Sequence, residues 1–232
     1  TRGPSYNVRN ILSAFKSSEK TGGDKTVYLD SIIENESFAS SKRRTSFSKN
    51  LSIPIGKKGA APISIELRAD SSTAHMAVIG TTGSGKTAFI NSLVLSACKH
   101  YSPDELELHM MVMTKGDFVV FKDNGLPHLK TVVTGNDTLS ANDILDFLNN
   151  EMSRRTAVMK NQDIYVYNQT ATKKMPRCVV IIDEFSELVK ESDEAIKQIE
   201  KIAQMGRSFG ISLIVSSTVF PVETNAIKHL FG

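Results

Sequence analysis

The chain has 232 residues, of which 40% are hydrophobic and 23% charged, and its formal net charge is +3. This balance is ordinary for a soluble globular protein and sizes it for one core plus a small extra segment. The mild basic excess permits contact with nucleic acid or anionic lipid without demanding it. No apolar run approaches the roughly 18 residues of a membrane span, and the first residues lack the build of a signal peptide. A cytoplasmic domain is expected, with room for attachment to a larger, membrane-anchored chain. Cys98 and Cys178 have neither metal-ligand nor disulfide-framework spacing and read as small buried hydrophobes in a reducing compartment.

Residues 1–50 are polar and weakly periodic, as in Ser17-Ser18-Glu19-Lys20-Thr21-Gly22-Gly23 and Ser40-Ser41-Lys42-Arg43-Arg44. Such a segment buries too little surface to order itself and predicts a poorly ordered arm or linker. From Leu51 the pattern alternates: Leu51-Ser52-Ile53-Pro54-Ile55-Gly56 and Ile63-Ser64-Ile65-Glu66-Leu67 flank Lys57-Lys58-Gly59. Two short strands joined by a turn are expected there.

Next, the apolar run Ala77-Val78-Ile79 stops at Gly80 and is followed by Thr81-Thr82-Gly83-Ser84-Gly85-Lys86-Thr87 and an apolar helical stretch. The order strand, glycine loop, Lys-Thr, helix fits GxxxxGK(S/T), the phosphate-binding P-loop or Walker A motif. Glycines let the backbone turn its N–H groups inward, and the helix start adds partial positive charge at the same point. Residues Gly80, Thr81, Thr82, Gly83, Ser84, Gly85, Lys86 and Thr87 are therefore expected to cradle the phosphates of ATP. Lys86 would reach the β- and γ-phosphates, and the Thr87 hydroxyl would ligate Mg²⁺.

A second buried strand is predicted at Leu106–Met113, ending in the turn Thr114-Lys115-Gly116-Asp117, and a third short one at Val132-Val133. Over residues 138–160, Leu139, Ile144, Leu145, Leu148, Met152 and Met159 recur at helical spacing, which places Glu151, Arg154 and Arg155 on other faces. Cys178-Val179-Val180-Ile181-Ile182 then runs into Asp183-Glu184. Consecutive β-branched residues suit a central parallel strand covered on both faces, and ligands bind at the carboxyl ends of such strands. Paired with a P-loop this is a Walker B strand, with Asp183 holding Mg²⁺ through water and Glu184 polarising the attacking water. Ile196, Ile199, Ile202 and Ala203 mark another helix, and Ile211–Thr218 a last strand with a hydroxyl-rich end. Thr218 is the candidate γ-phosphate sensor, although a hydroxyl cluster at a strand end can also serve only its own backbone.

Taken together, the chain resembles the FtsK/SpoIIIE family of RecA-like motor ATPases from about Leu51 to Lys228. The resemblance is carried by Ile53-Pro54-Ile55-Gly56-Lys57, by Ala74-His75-Met76 leading into the P-loop, and by Leu126-Pro127-His128-Leu129. It continues through Glu151-Met152-Ser153-Arg154-Arg155, Tyr167-Asn168, Met175-Pro176 and Asp183-Glu184-Phe185. It implies an α/β fold of the RecA-like P-loop NTPase type, with a mostly parallel central sheet flanked by helices, occupying residues 51–232 after the arm and a short β-hairpin. The family's last strands would lie beyond Gly232. It also implies self-association into a ring, a hexamer in this family, with a neighbouring subunit supplying an arginine, for which Arg207 and Arg155 are candidates. DNA-pumping members move double-stranded DNA; type VII secretion members, similar to EssC and EccC, drive protein export, so the cargo is double-stranded DNA or a secreted protein. Two departures stand out: Met113-Thr114 replace the usual Asp before Lys115, and Val219-Phe220 replace the usual Gln-Arg before Pro221. Val219 can neither donate to a γ-phosphate nor position a water, and Phe220 cannot neutralise a phosphate, so ATP binding is more firmly expected than fast hydrolysis.

Overall fold

The computed structural model describes residues 50–58, 61–68, 74–113, 118, 121, 125–134 and 140–232. Residues 1–49 of the predicted arm, the tip of the first turn and the turn at 114–117 fall outside the described residues, as does Leu139, whereas Asn50 opens the first strand. The first strands form a hairpin: β1 (Asn50–Lys58) pairs antiparallel with β2 (Ala61–Arg68). The central sheet contains β3 (Met76–Ile79), β4 (Leu106–Val112), β5 (Leu129–Thr134), β6 (Arg177–Asp183) and β7 (Ile211–Ser217). Its order is β3-β7-β6-β4-β5, and every pairing is parallel. Among the described residues no helix is long and apolar enough to cross a membrane.

Helices cover both faces of this sheet, which explains the unbroken apolar runs in its strands. On one face α1 (Lys86–His100) and the hairpin pack against Leu106, Leu108, Met110, Val179, Ile181 and Ile214. On the other, α2 (Ala141–Met159), α4 (Phe185–Glu191) and α5 (Asp193–Met205) cover Met111, Cys178, Val180, Ile182, Leu213 and Val215. Adjacent residues of β6 alternate between the two cores, and each fully buried Val or Ile contributes about 1.5–3 kcal/mol. The short helix α3 (Ile164–Thr170) joins α2 to β6 and was not legible as a helix in the sequence.

Local chemistry sets the element boundaries. Ser140 and Asp143 form a reciprocal capping box at the start of α2, and Ser192 accepts a hydrogen bond from the Ala195 N–H at the start of α5. Ala195, Ile199, Ile202 and Ala203 are the buried side of α5, one stripe of a 3.6-residue period. The hairpin is fixed to α1 by polar contacts as well as by Leu51, Ile53 and Leu67. The Ser96 hydroxyl donates to the Pro54 carbonyl at 2.5 Å, and the Tyr101 hydroxyl both accepts from Ser52 N–H and donates to its carbonyl.

The C-terminal stretch returns to the sheet. After a 3₁₀ segment (Val222–Leu230), Phe231 and Gly232 run beside the outer edge of β3, where Ala77 N–H donates to the Gly232 carbonyl at 3.2 Å.

Candidate functional site

Because the sheet is parallel, Ile79, Ser217, Asp183, Val112 and Thr134 all fall at one edge. Everything proposed for the nucleotide site leaves from that edge. β3 gives way to the loop 80–85, whose residues from Thr81 to Gly85 are exposed, and α1 begins at Lys86. Gly83 and Gly85 have φ of 78° and 91°, a region that side chains with a Cβ rarely adopt. At Gly80 the pressure is different and milder: a Cβ there would lie 2.6 Å from Ser84 Oγ, so the serine side chain would have to turn away.

The start of α1 is built unlike the starts of α2, α3 and α5. Those helices begin on a side-chain acceptor, from Ser140, Asp163 and Ser192, whereas α1 begins on Gly85 with no side-chain cap and no acid in its first turn. The first-turn N–H groups of a helix have no partner within it, so this terminus presents uncompensated donors and partial positive charge to an anion. The Lys86 side chain folds back over the loop, its ammonium donating to the carbonyls of Gly80 at 2.8 Å and Thr81 at 3.3 Å. This donor set fits a polyphosphate. Thr87, one residue on, is partly buried at the same helix start.

Asp183 closes β6. With β7 alone between β3 and β6, the glycine loop and Asp183 stand two strand spacings apart, about 10 Å across the sheet edge. Asp183 is 5% exposed, and the Ser216 hydroxyl of β7 donates to its Oδ1. Glu184 follows in the left-handed region, φ 53° and ψ 54°, at the start of α4. A non-glycine residue held there costs on the order of 1 kcal/mol, a cost that recurs at functional sites. Behind Glu184, the Ser186 and Ser217 hydroxyls are 3.0 Å apart and both buried.

Thr218 stands outside β7 and is exposed; the strand ends at Ser217. It is the buried Ser216 and Ser217, two residues and one residue earlier, that touch the Asp183–Ser186 junction. Their signal in the sequence is a pair of hydroxyls inside an otherwise apolar strand. Of the departures noted above, Met113 packs against the core beneath α2, and Phe220 turns inward with its ring 5.9 Å from Phe185 and 5.5 Å from Phe231. Val219, by contrast, is 62% exposed.

The two arginines offered as trans donors separate. Arg155, expected on a polar face of α2, is fully buried: it donates to Glu151 at 2.8 Å and to the carbonyls of Pro176 at 2.9 Å and Phe209 at 2.7 Å. Strand β6 and the 3₁₀ turn Gly206–Phe209 pack over it, a tertiary arrangement that helical spacing does not reveal. Arg207 is exposed on that same turn, at the edge of the sheet opposite the glycine loop.

Other motif residues are also backbone clamps. His75 accepts from Leu213 N–H at 2.9 Å on one ring nitrogen and bonds the Ala203 carbonyl at 2.9 Å with the other; Asn168 bonds both the N–H and the carbonyl of Met175 at 2.8 Å. His128 holds the Tyr101 carbonyl at 2.8 Å. Burial is the main reason that His75 is held down to about 4 and that the Cys178 thiol is pushed up to about 12.

Comparison with known proteins places this geometry in a family. The model of the FtsK/SpoIIIE family matches residues 35–174, which include the glycine loop and stop short of β6. The chain belongs to the FtsK/SpoIIIE family. It is 32% identical over 179 residues to the type VII secretion system protein EssC of Staphylococcus aureus, covering 73% of this chain and 12% of EssC. It is 34% identical over 200 residues to the DNA translocase FtsK of Helicobacter pylori, covering 82% of this chain and 22% of FtsK. The chain thus spans less than a quarter of either relative. In fold it is similar to the cytoplasmic domain of the Thermomonospora curvata type VII secretion ATPase EccC. The TM-score is 0.70 at 20% identity, over 90% of this chain and 26% of that one. This FtsK/SpoIIIE-family domain therefore has the P-loop ATPase fold, a parallel sheet flanked by helices and preceded by a β-hairpin.

Proposed function

We propose that this domain binds and hydrolyses Mg²⁺-ATP and that, assembled in a ring, it uses the turnover to translocate double-stranded DNA. One observation carries the reading: an uncapped, glycine-built helix start and the Asp183-Glu184 pair lie at the same sheet edge, with one strand between them. ATP supplies the phosphoanhydride that is cleaved, and Mg²⁺, when bound, would supply neutralisation of the phosphate charge. The loop 80–85 and the first turn of α1 hold the phosphates. Lys86 exchanges its carbonyl partners for phosphate oxygens, which places a fixed cation where charge develops. Thr87 and, through water, Asp183 would hold the metal. Glu184, aimed by its left-handed backbone, orients the attacking water and takes up its proton.

Support for DNA as cargo comes from the match to FtsK over most of the chain and from the basic balance. A second reading, a protein-export motor, is favoured by the exposed Val219 and Val222 flanking Phe220, where an arginine would suit a phosphate and valines suit an apolar peptide. ATP turnover measured with and without double-stranded DNA separates the two, with Lys86→Ala as the blank. The DNA reading expects stimulation that falls steeply as salt rises. Turnover unmoved by DNA, but raised by an apolar export-signal peptide, would overturn it in favour of the second.

A further inference from the structure

The hydroxyl contacts of β7 have a role that the nucleotide-binding loop and the Asp-Glu pair do not by themselves account for. The β6–β7 register sets Ile182 against Val215, so Ser216 and Asp183 are the next residues along neighbouring strands. Ser216 is completely buried and donates to Asp183 Oδ1, and Asp183 is itself 5% exposed. A buried carboxylate is tolerated only with donors around it, and a hydroxyl donor on a neighbouring strand fixes its rotamer. Ser217, the next residue, reaches 3.0 Å from Ser186 in the first turn of α4, just past Glu184. One strand therefore grips both sides of the junction that bears the metal-holding and water-orienting carboxylates.

We propose that Ser216 is a positioning residue that holds Asp183 ready for magnesium, with Ser217 bracing the adjoining turn through Ser186. The inference rests on the ATPase reading given above and concerns how its metal is held. The preceding residues of the same strand, Ile214 and Val215, are apolar and equally buried, so burial in β7 does not by itself call for a hydroxyl at 216. Groups that orient a metal-holding residue from behind commonly set metal affinity by about 10–100-fold.

The test titrates magnesium into the whole chain bound to a fluorescent, slowly hydrolysed ATP analogue and follows binding rather than turnover. Ser216→Ala is expected to raise the magnesium midpoint by about tenfold and to leave the metal-free affinity for the analogue unchanged. Ser216→Thr, which keeps the hydroxyl, is expected to restore the wild-type midpoint. A wild-type midpoint in a folded Ser216→Ala protein overturns the proposal, and so does a shift that Ser216→Thr fails to reverse. Should Ser216→Ala not fold, Ser216→Cys, a weaker donor of similar size, takes its place with an intermediate midpoint expected and a wild-type midpoint refuting. Failure of the underlying reading looks different: wild type would then bind the analogue without regard to magnesium, and Lys86→Ala would bind it as well as wild type.

Discussion

Replacing Arg155 by methionine separates a structural arginine from one that acts on a neighbouring subunit. Methionine retains most of the buried hydrocarbon and removes only the guanidinium. The side chain is 1% exposed and is paired with Glu151, whose own side chain is 14% exposed. Breaking a buried pair by deleting one partner costs about 3–5 kcal/mol, and each carbonyl left without a donor costs about 1–3 kcal/mol. The Pro176 and Phe209 carbonyls both lose theirs, but these costs overlap, and Arg154 still contacts Glu151 at 2.7 Å. A net loss of about 3–5 kcal/mol is expected, against a total of about 5–15 kcal/mol for a typical domain. Urea unfolding read by circular dichroism gives the number as a lower midpoint at unchanged slope. The reasoning fails if Arg155→Met unfolds at the wild-type midpoint yet loses ATP turnover, since the guanidinium would then be serving a site outside its own fold. Arg207→Ala is the control: it is exposed, so its stability should stay within about 0.5 kcal/mol of wild type.

Two further outcomes follow from buried polar groups. Burial holds His75 and His109 down to about 4 from an ordinary 6.5, so the unfolded chain takes up protons that the folded one refuses. Stability is therefore full above about pH 6.5 and declines as pH falls towards 4, by about 2 kcal/mol per histidine at pH 5; urea midpoints across this range should show it, and His109→Leu should flatten the slope. Asn168→Ala leaves the buried N–H and carbonyl of Met175 without their side-chain partner and should lower unfolding free energy by about 1–3 kcal/mol, measured in the same way, with ATP binding retained.

What could be read from the chain, and what could not, divides along locality. The glycine loop and the run Val179-Val180-Ile181-Ile182 are complete in a few adjacent residues, and each appears in the structure where the spacing puts it. The helical period of α2 was legible too, but the burial of Arg155 was not, because β6 and the turn Gly206–Phe209 cover it from more than twenty residues away in sequence. The end of β7 shows the same limit at finer scale. A hydroxyl-rich strand end was evident, yet which hydroxyl meets Asp183 depends on the register between β6 and β7, and the structure selects Ser216. The α3 helix has seven residues, too few for a period to emerge, and is held by the Asp163 cap and by the Asn168 contacts to Met175. Motif residues that carried the family resemblance, His75, His128, Arg155 and Asn168, are clamps on backbone groups, which sequence alone does not distinguish from contacts to a ligand.

The central claim, that the loop 80–87 and the Asp183-Glu184 pair act together as one ATP-hydrolysing site, is tested most directly by comparing Lys86→Ala and Glu184→Gln with wild type for both ATP binding and Mg²⁺-dependent phosphate release. The account predicts that wild type releases phosphate, that Lys86→Ala loses both properties, and that Glu184→Gln keeps ATP bound while its turnover falls by about 10²–10⁴-fold. Undiminished turnover in Glu184→Gln, or undiminished ATP binding in Lys86→Ala, would contradict it.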